Sequence, residues 1–154
     1  MLVPLTAIRS APSGVEGDSG FRIRSRRVTD APITIRTACV RDADAIQELI
    51  DEHLAEGHLL PRELGEVLVH VNRFIVAVQE DEVLACAELA PLSHAVAEVR
   101  SMVVTREARG CGLGRRIVNE LVRRATAAGF EKVCALLPLA FSPTAMYSLP
   151  SGPK

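Results

Sequence analysis

Residues 109–116 read RGCGLGRR, the most informative stretch of the chain. It follows residues 99–104, which have the composition of a strand, and it opens residues 113–128, whose apolar side chains recur at helical spacing. A glycine-dense turn at a helix N-terminus leaves backbone N–H groups unpaired, and the positive end of the helix dipole lies at the same point. The stretch therefore predicts an anion site, typically for phosphate. An ordinary surface turn that only starts a helix is the alternative interpretation.

Three phosphate-binding patterns can be compared with this turn. A Walker loop ends in Gly-Lys-Ser/Thr, whereas this turn continues as Gly114-Arg115-Arg116. A dinucleotide-binding fingerprint requires a third glycine where Arg115 stands. The pattern Arg/Gln-x-x-Gly-x-Gly/Ala matches at Arg109, Gly112 and Gly114. In this respect the turn resembles the pyrophosphate-binding turn of the GNAT superfamily of acetyl-coenzyme A-dependent N-acetyltransferases, which joins the fourth strand to the third helix.

Length and composition indicate one compact domain. The chain has 154 residues, of which 48% are hydrophobic and 24% charged, and its net charge is −1. The nearly neutral net charge gives no general reason to bind nucleic acid or a membrane, and the absence of Trp argues against a platform for base stacking. No apolar run approaches the ~20 residues that span a bilayer. The four cysteines are scattered and form no C-x-x-C pair. This favours reduced thiols in the cytoplasm over disulfides or a zinc site, and we expect no metal.

The spacing of apolar residues predicts a mixed α/β domain with the element order β-α-α-β-β-β-α-β. Predicted strands occupy residues 33–36, 74–78, 83–89, 98–104 and 132–136, and predicted helices occupy residues 43–54, 61–70 and 113–128. Asp42 is the expected N-cap of the first helix, Pro61 is expected to open the second, and residues 80–82 are expected to form a hairpin turn. This order opens the GNAT fold, a mixed central sheet flanked by helices.

Composition divides the chain into three segments. We expect a disordered N-terminal arm over residues 1–31, the GNAT-like domain over residues 32–137, and a divergent, irregular tail over residues 138–154. No Asp, Glu, Lys, Arg or His occurs from Val133 to Pro153, so the composition changes abruptly at the last predicted strand. We therefore expect a divergent or truncated C-terminus that lacks the closing strands of the fold and leaves the edge of the fifth strand exposed.

Within the superfamily, residues 33–136 are most similar to the acetyltransferase domain of N-acetylglutamate synthase. The similarity is carried by GHLLPR at residues 57–62, LACAEL at 84–89 and AEVRSMVV at 97–104, together with the turn. It implies acetyl-coenzyme A as co-substrate and transfer of the acetyl group to the amine of a small acceptor, L-glutamate, as in arginine biosynthesis. It also brings a homodimer into consideration.

The resemblance further implies which residues contact the coenzyme. The pyrophosphate is expected to bind backbone N–H groups of the turn, with added charge from Arg109 and Arg115. The thioester carbonyl is expected to bind backbone N–H groups of a fourth strand that splays away from the fifth. The expected cofactor-binding residues are Met102, Val103, Val104, Arg109, Gly110, Cys111, Gly112, Leu113, Gly114 and Arg115.

Catalysis requires a base, because the acceptor amine must lose a proton before it attacks. Glu98 heads the fourth strand and is the candidate base; the alternative is an ordinary strand carboxylate that faces solvent. Tyr147 lies in a segment, residues 143–147, that faintly resembles the part of the superfamily carrying a general-acid tyrosine. Arg62 and Arg100 are the candidate ligands of acceptor carboxylates, which arginine binds through two hydrogen bonds, and ordinary exposed arginines are the alternative.

Two other functions remain open. A chain that has lost the general acid and the closing strands would be a non-catalytic, coenzyme A-binding remnant of such an enzyme. The other function is nucleic-acid binding by an arginine-rich face of the third helix, although such a face is usually only solvated and the net charge of −1 argues against it. The arginines concerned are Arg115, Arg116, Arg123 and Arg124.

Overall fold

The fold is a six-stranded mixed sheet with helices on both faces. The computed structural model describes residues 28–135 and 145–149. The strands are β1 (Thr34–Thr37), β2 (Phe74–Gln79), β3 (Glu82–Pro91), β4 (Val96–Val104), β5 (Lys132–Ala135) and β6 (Ala145–Ser148), and the helices are α1 (Ala43–His53), α2 (Leu64–Val69) and α3 (Leu113–Ala127). Strands neighbour one another in chain order; β4 and β5 are parallel, and the other described pairs are antiparallel. The predicted element order is confirmed, and a further strand follows it. Most of the predicted N-terminal arm, residues 1–27, lies outside the described residues.

β6 corrects the prediction of an irregular tail. Residues 145–148 pair with β5, from Lys132↔Ser148 to Ala135↔Ala145, and the N–H of Leu149 donates to the carbonyl of Glu131 at 2.9 Å. The edge of β5 is therefore covered along its described length. An unpaired strand edge is a template for another strand, and an uncharged tail carries nothing that resists pairing. The absence of the family's C-terminal motifs therefore does not prevent the tail from forming a strand. The rest of the tail, residues 136–144 and 150–154, is outside the described part of the chain.

Helices α1 and α2 cover one face of the sheet, and α3 covers the other. The longer helices α1 and α3 each turn an apolar stripe inward, with residues spaced three and four apart. The buried residues of these stripes are Ile46, Leu49 and Ile50 in α1 and Leu113, Ile117 and Leu121 in α3. Alternate residues of β3 divide between the two sides, with Cys86 packed among the α1 residues and Ala85 and Ala87 among the α3 residues. We call these sides the α1 face and the α3 face.

β4 contains a β-bulge at Ser101. The register with β3 shifts between Cys86 and Glu88, so that two residues of β4 lie opposite one residue of β3. Ser101 has φ +47°, in the left-handed region that residues other than glycine rarely adopt. The extra residue places Met102 on the α3 face three positions after Val99, where a regular strand would return to that face after two.

Asp42 does not cap α1 as predicted. Its side chain makes no capping hydrogen bond to that helix. The carboxylate instead accepts two hydrogen bonds from the guanidinium of Arg36, at 2.7 and 2.9 Å, and one from the N–H of Cys39 at 2.8 Å. A bidentate, charge-assisted pair is stronger than a single cap bond, which explains the difference. Hydrogen bonds from Arg36 hold the pKa of Asp42 well below its ordinary value.

Apart from the start of α2, the other described element ends lie within two residues of the predicted ones; β3, for example, extends to Pro91 and β4 begins at Val96. Helix α2 begins at Leu64 rather than at Pro61, because Glu63 is still extended, with φ −77° and ψ 144°. The hairpin between β2 and β3 is confirmed: Glu80 and Asp81 both have positive φ, as a two-residue type I′ turn requires. Within the described residues, no helix combines the length and apolar character needed to cross a bilayer.

Candidate active site

The glycine-rich turn leads from β4 into α3 through two residues in the left-handed conformation. Gly110 has φ +81° and Gly112 has φ +79°, values that put an L side chain under strain. The N–H of Arg116 donates to the carbonyl of Gly112 at 3.1 Å and so belongs to the helical ladder. The N–H groups of Leu113 and Gly114 come before it and have no acceptor within the helix. Together with the helix dipole they present partial positive charge.

A cavity of about 420 Å³ opens beside these N–H groups, a volume within the range of small-molecule sites. An ideal Cβ on Gly110 or Gly112 would meet nothing within 4 Å, so the backbone conformation, and not crowding, requires glycine there. Cys111 is outside the lining, and its thiol donates to the carbonyl of Ala108 at 2.9 Å. Open space and unpaired N–H groups together fit a diphosphate. The lining residues are Val104, Ala108, Arg109, Gly110, Gly112, Leu113, Gly114 and Arg115.

The two arginines that line this cavity differ in their partners. Arg115 is exposed, and no described residue forms a hydrogen bond or an ion pair with it. Arg109 instead donates from Nε to the carbonyl of Val104 at 3.0 Å and from Nη2 to the carboxylate of Glu56 at 2.9 Å. The guanidinium of Arg115 is therefore available to an anion in the cavity, whereas Arg109 fastens the turn to β4.

Glu56 is a residue of this region that sequence reasoning missed. It follows α1 and lies 53 residues before Arg109, so no local pattern relates the two. Its carboxylate also accepts a hydrogen bond from Nε of Arg106 at 3.3 Å. Hydrogen bonds from Arg109, and then from Arg106, hold the pKa of Glu56 below its ordinary value against the opposing effect of desolvation. The segment after α1 is thus tied by charge to the glycine-rich turn.

The edge of β4 beyond the bulge borders the cavity. Described pairing between β4 and β5 ends at Val99 and Ala135, while β3 accompanies β4 as far as Val104. Val104 itself lines the cavity, and its carbonyl receives the hydrogen bond from Arg109. In the part of the chain that the structure describes, β4 therefore has no partner on its outer edge from Arg100 onward.

Backbone N–H directions distinguish the three residues predicted to bind the thioester carbonyl. The N–H of Thr105 donates to the carbonyl of Leu84 in β3 at 2.9 Å. Because N–H groups alternate between the two edges of a strand, those of Val104 and Met102 point away from β3, and that of Val103 points toward it. Two of the three N–H groups thus face the edge of β4 opposite to β3, and Val103 does not.

The α1 face carries a buried ion pair beside the bulge. The side chain of Arg62, between α1 and α2, is 11% exposed, and that of Glu88 is 1% exposed. Arg62 donates from Nη2 to Oε2 of Glu88 at 2.9 Å, from Nε to Oγ of Ser101 at 3.2 Å, and from Nη1 to Glu66. The donors of Arg62 are directed to protein groups, so it is not the ordinary exposed arginine of the alternative interpretation.

Glu98 and Arg100 lie on this same face, because they are two residues apart in β4 and Arg100 is in register with Glu88. Glu98 is 4% exposed and accepts a hydrogen bond from Nε of Arg100, so it does not face solvent. The side chain of Arg100 is 39% exposed, which leaves part of its guanidinium accessible. Burial, reinforced by the negative charge of Glu98, raises the pKa of Cys134 in the neighbouring strand β5.

The remaining predicted features concern a general acid and metal ions. Tyr147 lies in β6, opposite Val133 in register. Its side chain is outside what the structure describes, and its role as general acid stays a prediction. Over residues 28–135 and 145–149, no group of three or more His, Cys, Asp or Glu side chains is arranged to hold a metal ion.

Comparison with known sequences supplies the family. The model of the acetyltransferase (GNAT) family matches residues 42–143. An uncharacterised N-acetyltransferase of Chlorobaculum tepidum is 30% identical over 106 residues, which are 69% of this chain and 68% of that protein. An amino-acid acetyltransferase of Ralstonia nicotianae is 29% identical over 103 residues, which are 66% of this chain but only 23% of that protein.

Solved structures agree with this result. Rv2747 of Mycobacterium tuberculosis, in complex with CoA and NLQ, superposes with a TM-score of 0.63 at 29% identity, over 68% of this chain and 64% of its own. N-acetylglutamate synthase of Neisseria gonorrhoeae, complexed with coenzyme A and N-acetyl-glutamate, shares the fold with a TM-score of 0.65 at 24% identity, over 71% of this chain and 26% of its own. A match of this extent, on a fold shared with coenzyme A-bound structures, shows that the chain belongs to the GNAT family of acetyltransferases, whose acyl donor is acetyl-coenzyme A.

Proposed function

We propose that the chain transfers an acetyl group from acetyl-coenzyme A to the amino group of a small acceptor. The observation that carries the proposal is the start of α3. There, unpaired N–H groups and the accessible guanidinium of Arg115 border a cavity that reaches Val104 at the end of β4. An anion held at the turn therefore lies beside backbone donors that can bind a carbonyl oxygen.

In this proposal the turn binds the pyrophosphate of the coenzyme. The N–H groups of Leu113 and Gly114 donate to phosphate oxygens, and Arg115 adds a charge-assisted hydrogen bond. Gly110 and Gly112 supply the left-handed backbone that directs these donors outward. Arg109 acts on the same ligand through its hold on Val104 and Glu56 rather than by a free guanidinium.

The reacting groups meet at the edge of β4. Acetyl-coenzyme A supplies a thioester, and the N–H groups of Met102 and Val104 bind its carbonyl oxygen, where negative charge increases during the reaction. Glu98, oriented by Arg100, accepts the proton of the acceptor ammonium group directly or through water. Tyr147 is the proposed general acid for the departing thiolate.

The proposed acceptor is an α-amino acid, with L-glutamate as the first candidate. The amino-acid acetyltransferase among the relatives supports an amino acid, although this chain covers 23% of that protein. Arg100 supports a carboxylate-bearing acceptor, because its guanidinium is partly exposed on the face that also carries Glu98. Glutamate acetylation would place the chain in arginine biosynthesis and in the cytoplasm, and a homodimer is the assembly to test by light scattering.

Calorimetric titration with acetyl-coenzyme A, followed by mass spectrometry of the acetylated product, tests the proposal. Glutamate, glutamine, aspartate and a diamine are offered as acceptors, and a reaction without acceptor measures background hydrolysis. We expect one-site binding and acetylation of glutamate above the background. Binding without transfer to any acceptor would identify a non-catalytic, coenzyme A-binding protein. A folded sample that does not bind acetyl-coenzyme A would contradict the proposal at its first step.

A further inference from the structure

Ser101 holds a backbone conformation that its own side chain does not favour. Its φ is +47°, and a residue other than glycine stays in that region only where its surroundings hold it. Ser101 is also the point at which β4 bulges; Met102 follows it directly, and Val104 comes two residues later. The direction of their N–H groups therefore depends on what holds Ser101.

Two side chains contact Ser101. Sγ of Cys86 lies 3.5 Å from its carbonyl oxygen, and its hydroxyl is held by the largely buried guanidinium of Arg62, 39 residues away in sequence. Nε of Arg62 donates to Oγ of Ser101 at 3.2 Å, and Nη2 is fixed by Glu88 at 2.9 Å. The main chain of Arg62 is fixed as well, because its carbonyl accepts a hydrogen bond from Nε2 of Gln47 at 3.2 Å. Arg62 is thus held both at its main chain, by Gln47, and at its guanidinium, by Glu88. Because the guanidinium is planar, these two contacts fix its orientation.

We infer that Glu88, Arg62 and Ser101 form a positioning chain for acyl transfer. Glu88 orients Arg62, Arg62 holds Ser101 at the bulge, and the bulge aims the N–H groups of Met102 and Val104 at the reacting carbonyl. The inference rests on the proposed function and assigns Arg62 a role other than direct contact with an acceptor carboxylate. Each of the three acts through the next residue, so none of them needs to touch either substrate.

Ser101→Ala is the primary test, because it removes one hydroxyl and leaves the Arg62–Glu88 pair intact. We expect kcat to fall by about 10-fold, since small misplacements of catalytic donors have effects of this order or larger. The Kd of acetyl-coenzyme A, measured by calorimetry, should stay within about 2-fold of wild type, because the glycine-rich turn is untouched. Thr34→Ala removes an exposed hydroxyl from β1 and is the matched control, with wild-type kcat expected.

A double variant tests whether the residues act as one chain. Glu88→Gln keeps the shape of the side chain and removes its charge, and we expect it to lower kcat without changing the Kd of acetyl-coenzyme A. Ser101→Ala in the Glu88→Gln background should then be no slower than the slower single variant, because both changes release the same bulge. Multiplication of the two separate effects would overturn the chain.

Amide resonances give a readout that does not depend on turnover. In ¹H–¹⁵N spectra of the full chain, the Met102 and Val104 amides should shift in Ser101→Ala and in Glu88→Gln, and not in Thr34→Ala. Unshifted amides, or wild-type kcat in Ser101→Ala, would overturn the inference. Shifted amides in a chain whose wild type acetylates no acceptor would reject the proposed function and retain the three residues as the support of the bulge.

Discussion

The carboxylate of Glu56 accepts hydrogen bonds from Nη2 of Arg109 at 2.9 and 3.1 Å, and so joins the segment after α1 to the first residue of the glycine-rich turn. The same guanidinium holds the carbonyl of Val104 through its Nε. Arg109 is therefore the first residue of the turn, a hydrogen-bond donor to the end of β4 at Val104, and the ion-pair partner of Glu56 from the segment after α1. This explains why an arginine in a phosphate-binding pattern need not itself point at phosphate.

Arg115 and Arg109 should respond differently to the loss of their charge. Arg115→Met should lower the affinity for acetyl-coenzyme A by about 10-fold, the value of one charge-assisted hydrogen bond at a partly solvated site, and leave the melting temperature unchanged. Arg109→Met should lower the melting temperature as well as the affinity, because the carbonyl of Val104 loses its hydrogen bond from Arg109 and Glu56 keeps only its bond from Arg106. Calorimetry and thermal melting of both variants provide the measurement, and identical behaviour of the two would refute this division of roles.

Substitutions at two glycines of the turn should have opposite outcomes. Gly112→Glu places a carboxylate in the cavity at a residue with φ +79° and should abolish acetyl-coenzyme A binding without unfolding the domain. Gly114→Ala should retain binding, because its new Cβ would lie 3.8 Å from Cε of Met102 and 3.9 Å from Cγ2 of Val104, ordinary contact distances. Titration calorimetry with circular dichroism as the folding check decides the matter. If Gly112→Glu bound acetyl-coenzyme A with the affinity of the wild type, the turn would not be the coenzyme-binding site.

Glu98→Gln should separate catalysis from coenzyme binding. Removal of a general base lowers rates by roughly 10²- to 10⁴-fold, so we expect a loss of kcat in that range with an unchanged Kd for acetyl-coenzyme A. Glu107→Gln, at an exposed carboxylate close to the turn, is the control and should behave as wild type. A Glu98→Gln variant that is folded and fully active would assign proton removal to another group.

Asp42 should make the stability of the domain depend on pH. Arg36 lowers the pKa of Asp42 in the folded state, so this pair stabilises the fold above the unfolded aspartate pKa of about 3.9, and its contribution disappears as the pH falls through the lower, folded-state pKa. Asp42→Asn should cost about 2 kcal/mol of unfolding free energy at pH 7, and the difference from wild type should shrink under acid conditions. Denaturant unfolding at several pH values measures it, with the exposed Asp51→Asn as control. A difference that stays constant down to pH 2 would contradict the ion-pair account.

Periodic features of the fold could be predicted from the sequence. The stripe of Leu113, Ile117 and Leu121 requires a helix with one buried face, and residues 80–82 between two apolar runs require a tight hairpin. The turn could be found because glycine spacing and helix start lie within a few residues of each other. Each of these features depends on residues close together in sequence, because short-range steric effects and hydrogen bonds are enough to form it.

The contacts that arrange the candidate site could not be predicted in this way. Arg62 and Glu88 are 26 residues apart, and only the tertiary fold brings the segment between α1 and α2 beside β3. No glycine in the sequence indicates the bulge at Ser101. The left-handed conformation of Ser101 is sustained by a tertiary hydrogen bond from Arg62 and not by a local preference of the residue. β6 was missed for a related reason: a strand that pairs with an existing edge needs little sequence signal of its own.

The division of the candidate groups between the two faces of the sheet has a consequence for the order of the reaction. The turn and its cavity belong to the α3 face, whereas Glu98 and Arg100 lie on the α1 face. Donor and acceptor can therefore approach from opposite sides of one sheet without displacing each other. Such an arrangement favours a ternary complex and direct transfer over a covalent acetyl-enzyme, and it predicts intersecting rather than parallel lines when initial rates are measured against both substrates.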